Sequence, residues 1–117
     1  MLITGLALVA TGLAQSGGPA KAAGPPQDNP HRVVYKGTTG PGAGKHIVLI
    51  AGDHEYRSEE VLPALGRMLA KTLGFTCTVF FTLDAQGFIE PGSSRMAGLE
   101  ALSSADLLIV GLRFQDF

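Results

Sequence analysis

The sequence predicts an α/β domain on a parallel sheet, and three observations carry that expectation. Apolar segments rich in β-branched residues stand at 46–51, 75–82 and 106–112. A helical pattern separates the first from the second, and a polar loop with a short helix separates the second from the third. Continuous apolar runs of this length suit strands covered on both faces. Strand, helix, strand, short helix, strand is the order of right-handed parallel crossovers within one sheet.

His46-Ile-Val-Leu-Ile-Ala51 forms the first strand, and Gly52 ends it. A helix is expected over 58–73. Ser58 is placed as its N-cap, Glu59 and Glu60 favour the positive end of the helix dipole, and Gly74 is placed as the C′ terminator. Leu62, Leu65, Leu69 and Leu73 recur at spacings of three and four along one face. Pro63 fits only near the first turn, which points to regular helix starting nearer Leu62. Phe75-Thr-Cys-Thr-Val-Phe-Phe-Thr82 has high β propensity and makes the second strand. After a loop holding Gly87, Pro91 and Gly92, a short helix is expected around Leu99–Ser103. Asp106 then opens the third strand, which runs to about Leu112.

Two segments precede this domain. Residues 1–14, MLITGLALVATGLA, carry no charge and are too short to span a bilayer as a helix, which needs roughly 20 apolar residues. They suit the apolar region of an export signal, with Gly12 and Ala14 as small residues at plausible cleavage positions. A greasy first helix or a short membrane anchor is the alternative. In residues 15–44, twelve of thirty positions are Gly or Pro, so the segment reads as a flexible linker. Val33-Val34-Tyr35 is its one strand-like patch, suited to weak pairing at a sheet edge, with a fluctuating segment as the alternative.

Composition sets bounds. At 117 residues one domain is the ceiling, and nine Lys+Arg against ten Asp+Glu lack the basic excess of a nucleic-acid binder. A mean hydropathy of +0.24 is too apolar for a wholly disordered chain. The single cysteine excludes a disulfide scaffold and a Cys-based structural zinc site. The 73 residues from Lys45 to Phe117 hold three strands and no helix after the third, which reads as the opening part of a larger domain. A complete small domain would leave long apolar strand edges unprotected.

The run Gly40-Pro41-Gly42-Ala43-Gly44-Lys45 is not a phosphate loop. Thr39 stands where the first glycine is required, His46 where Ser or Thr would hold magnesium, and the run precedes a strand. Cys77 sits mid-strand between threonines and reads as a buried structural thiol. Phe75, Phe80 and Phe81 read as core, and the sequence spacing of His31 and His46 is not that of metal ligands.

The segment after the first strand carries more chemistry. In open α/β sheets ligands bind at the carboxyl ends of strands, where strand order reverses. If the three strands stand in the order 2-1-3, the loop after the first faces the loop after the third. Asp53, His54, Glu55, Tyr56 and Arg57 then meet Arg113 and Asp116 over one crevice. An Asp-His-Glu cluster is able to hold a divalent metal or move protons. The plainer alternative is a set of capping and surface residues with a buried Arg–carboxylate pair. Glu59 and Glu60 occupy the position where the helix would hold an anion, so a neutral polyol suits the crevice better than a phosphate.

With these residues in place, 45–117 resembles the opening part of the trehalose-utilisation (ThuA-like) family. The resemblance is carried by His46-Ile-Val-Leu-Ile-Ala-Gly-Asp53, Glu55-Tyr56-Arg57-Ser58-Glu59-Glu60 with Leu62-Pro63, and Gly74-Phe75. Gly98-Leu99-Glu100-Ala101-Leu102, Ala105-Asp106 and Arg113-Phe114 complete it. It implies a flavodoxin-like fold related to class I glutamine amidotransferases, on secreted proteins tied to carbohydrate use. The amidotransferase relatives carry their nucleophilic cysteine on a turn after a later strand. Cys77 matches no such turn, so their chemistry is not carried over.

The expectation is therefore a secreted or periplasmic domain whose ligand candidates are Asp53, His54, Glu55, Tyr56, Arg57 and Arg113. Its partner would be a small molecule of carbohydrate type. No cofactor is implied, no metal site is assigned, no nucleic acid is expected, and the membrane enters only through the export signal. A non-catalytic accessory module tethered by its linker is the rival. An amidotransferase-like hydrolase would need a nucleophile from outside these residues.

Overall fold

The computed structural model describes residues 31–116. It shows an α/β fold in which a mixed four-stranded sheet carries one α-helix and one 3₁₀ helix. The strands are β1 (Arg32–Lys36), β2 (His46–Ala51), β3 (Thr76–Phe81) and β4 (Leu107–Gly111). The helix α1 spans Ser58–Leu73, and the 3₁₀ helix spans Leu99–Ser104.

The sheet differs from the three-stranded parallel sheet expected. Its order is β1-β3-β2-β4, with β1 antiparallel to β3, while β2 pairs in parallel with β3 and with β4. The added strand comes from the segment read as linker. Its glycines reflect close packing more than looseness. A Cβ at Gly37 would stand 2.4 Å from the Gly74 carbonyl carbon and 2.5 Å from the Ala70 oxygen. Gly37 N–H donates to the Phe75 carbonyl at 2.9 Å, and Gly42 N–H to the Leu73 carbonyl at 2.8 Å. The chain thus crosses the end of α1 at backbone contact, which only glycine allows. The export signal and the linker before residue 31 lie outside the described residues.

Strand periodicity divides the core in two. Ile47, Leu49 and Ala51 of β2 join Cys77, Val79 and Phe81 of β3 on the face packed against α1 through Leu62, Leu65 and Leu69. Val48, Ile50 and Phe80 point to the opposite face, where Met96, Ala101, Leu102 and Ala105 lie over them. Burying each large aliphatic or aromatic side chain stabilises the fold by about 1.5–3 kcal/mol. The third strand is not covered on both faces as expected. Leu107, Leu108 and Val110 of β4 are exposed, because α1 and the 3₁₀ helix are centred over β2 and β3.

The helix occupies 58–73, but its start differs from the expectation. Its N-cap is Arg57, in the left-handed region at φ 53°, without a capping side chain. Ser58 is already helical and turns its hydroxyl to the preceding loop. Pro63 is accommodated inside the helix, which does not wait until Leu62 to begin. Gly66 and Ala70 are buried on the inward face, while Leu73 is 40 % exposed. Gly74, at φ 84°, ends the helix and donates its N–H to the Ala70 carbonyl.

The amino ends of the parallel strands are closed by a polar clasp. Asp106 Oδ2 accepts the His46 N–H at 2.7 Å, and Asp106 N–H donates to the His46 carbonyl at 2.8 Å. The His46 ring lies between Thr78 Oγ1 at 2.9 Å and Ser104 Oγ at 3.1 Å. This histidine ties β2, β3 and the 3₁₀ helix together. The amide bond from His46, together with the charges of Lys45 and His46, holds the Asp106 carboxyl below the usual range, although partial burial opposes this.

Candidate functional site

At the opposite end of the sheet the chain leaves β2 through Gly52. A Cβ there would stand 2.6 Å from Leu112 Cδ2 and Thr82 Cγ2, and 2.9 Å from Thr82 Oγ1. Glycine is required for the strand end to pass between them. The Gly52 and Asp53 amides both donate to the Gly111 carbonyl at 2.9 Å. The same two amides reach Ser58 Oγ at 2.9 and 2.7 Å. The Gly52 carbonyl accepts the Gly92 N–H at 2.7 Å and a hydrogen bond from Gln115 Nε2. The loops after β2, β3 and β4 therefore converge on one peptide unit.

Asp53 is buried beneath this convergence. Its Oδ1 accepts the amides of Glu55 at 2.7 Å and Tyr56 at 3.1 Å, shaping the loop as an Asx turn. Burial pushes its carboxyl up, but the two amides and the positive fields of Arg113 and His54 outweigh it and leave the group below its ordinary value. Asp53 supports the loop from below.

Above it, Arg113 Nη1 donates to Glu55 Oε2 and bridges the loops after β2 and β4. The pair is partly exposed, 35 % at Arg113 and 52 % at Glu55, not the buried pair considered as the plainer alternative. Such a bond contributes at most about 1 kcal/mol, so it acts chiefly to position its members. The Arg113 guanidinium carbon lies 5.4 Å from the Tyr56 ring centroid and 4.5 Å from that of Phe114. Both rings are open to solvent, Tyr56 at 67 % and Phe114 at 78 %.

The six candidate residues thus divide. Glu55, Tyr56 and Arg113 come together at the rim, with Asp53 beneath. His54 lies against the next loop, its Nδ1 3.2 Å from where a Cβ on Gly92 would stand. Arg57 instead pairs with Glu60 along the first turn of α1. Asp116 is exposed at the outer end of the loop after β4. Among the described residues no group of three or more His, Cys, Asp or Glu side chains is placed to hold a metal ion. Cys77 is fully buried, and burial pushes its thiol up, away from the reactive thiolate.

Comparison with protein-family models, with curated proteins and with solved structures finds no match to this chain.

Sequence reasoning missed three contributors. Ser58 was legible as a helix-start residue but not as the acceptor for two loop amides. Gln115 gave no signal beyond lying between Phe114 and Asp116. Gly92 was legible only as a loop glycine, and its amide proves to be one of two donors to the Gly52 carbonyl.

Proposed function

We propose that 45–117 belongs to a ThuA-like domain, on an exported protein, and that the crevice over β2 and β4 binds a neutral molecule of carbohydrate type. The observation that supports this most is the Arg113–Glu55 bridge, which joins two loops over the carboxyl ends of adjacent parallel strands. That is where open α/β sheets bind ligands. Its carboxylate, guanidinium and phenol are groups suited to hydroxyl donors and acceptors. Acidic residues outnumber basic ones across both loops, which disfavours an anion.

Binding is favoured over catalysis by two details. The Asp53 carboxylate is engaged by loop amides, and the Cys77 thiol is shut inside the sheet. Titration calorimetry of the full chain against a panel of mono- and disaccharides tests the reading. Arg113→Ala should weaken binding of the best sugar by about tenfold, the loss of one charge-assisted contact. Arg57→Ala, whose partner lies on the helix, should leave it unchanged. Full affinity in Arg113→Ala, or no sugar bound by the parent, would refute the assignment.

A further inference from the structure

We propose that Tyr56 and Phe114 form an aromatic platform at the crevice rim, which stacks against the C–H face of a pyranose ring. The site would then select a cyclic sugar over an open-chain polyol. This deepens the reading of the crevice as a carbohydrate site and depends on it.

Three observations carry the inference. First, two large aromatic side chains from different loops are left in water at the same place, although the fold has an apolar core that takes in Phe80 and Phe81. Secondly, both rings lie against one guanidinium, which puts their centroids within about 10 Å of each other. Arg113 thus touches both rings, while Glu55 holds Arg113. Thirdly, Phe114 is held in the left-handed region at φ 55°, which is unfavourable for a bulky residue. The loop bears that strain while its phenyl ring stays outside. A platform of this kind offers π faces to polarised C–H groups, and the neighbouring carboxylate and guanidinium take the ring hydroxyls. An open-chain polyol has no flat C–H face and gains only the hydrogen bonds.

The test compares methyl β-D-glucopyranoside with sorbitol on the full chain, by titration and by saturation-transfer NMR with irradiation of the aromatic protons. The pyranoside should bind about tenfold more tightly than sorbitol and receive saturation mainly on the protons of one ring face. Tyr56→Leu and Phe114→Leu should each weaken the pyranoside about fivefold and leave sorbitol unchanged. Phe88→Leu, at an exposed phenylalanine of the turn beginning at Asp84, should change neither. Undiminished pyranoside affinity in both leucine variants, or equal affinity for the two probes, overturns the platform while the crevice stands. Self-association of the parent that both leucine variants abolish would mark the rings as a protein contact and also overturn it. If neither probe binds the parent and no sugar of the wider panel does, the carbohydrate reading itself falls, and the platform with it.

Discussion

The two ends of the parallel strands are built from the same materials and do different things with them. Each is closed by an aspartate that accepts backbone amides: Asp106 takes that of His46, and Asp53 takes those of Glu55 and Tyr56. At the amino end the neighbouring groups answer one another, as His46 lies between Thr78 and Ser104 and Lys45 pairs with Asp106. At the carboxyl end the aspartate only shapes the loop. Glu55, Tyr56, Arg113 and Phe114 engage one another at the surface, with both rings open to solvent. Similar chemistry thus makes a clasp at one end and a rim with spare capacity at the other.

The strongest way to break this contrast is at Gly52. Gly52→Ala forces a methyl group into Leu112 and the stiff, fully buried Thr82, and should cost about 2–3 kcal/mol. The melting temperature should fall and sugar binding should be lost together. A variant that melts like the parent would show that the loops do not converge on this peptide.

A smaller pair of changes sharpens it. Ser58→Ala removes the hydroxyl that serves two buried amides, and His46→Ala removes the link to Thr78 and Ser104. Each should destabilise by about 1–2 kcal/mol in denaturant unfolding. Only Ser58→Ala should also weaken the best sugar. Reduced affinity in His46→Ala would mean that the two ends are coupled.

The smallest effect is expected in acid. Both aspartates titrate below their ordinary value in the folded chain. Their contribution is therefore complete above the unfolded carboxyl value, about 3.9, and is lost as pH falls through the lower folded values. Unfolding followed by circular dichroism should show stability declining below about pH 4. Asp53→Asn and Asp106→Asn should each flatten that decline. An unchanged slope in either variant would show that its carboxylate is not held by the amides named.

What was legible in the sequence had short-range causes. The apolar runs 46–51 and 75–82, the leucine spacing and Gly74 each encode their element locally, and the elements stand where those signals put them. The edge strand was legible only as the patch Val33-Val34-Tyr35, with its pairing left open, because Gly37 and Pro41 are the same letters whether a segment is loose or packed against a helix end. Ser58 was misassigned for a related reason: a hydroxyl at a helix start serves the helix or the preceding loop, and here the left-handed Arg57 takes the cap position and leaves Ser58 to the Gly52 and Asp53 amides. Of the rim, Glu55, Tyr56 and Arg113 are legible because they lie in the loops that follow strand ends. The place of Gln115 depends on a contact 63 residues away in sequence, which no local pattern encodes.

The Gly52 carbonyl has one more consequence. A single oxygen receives donors from two other connections, so the lengths of all three are mutually fixed. Inserting or deleting a residue between Thr82 and Gly92, or between Leu112 and Gln115, would withdraw a donor from a shared acceptor. Variation along this edge should therefore exchange side chains while conserving the spacing of the backbone.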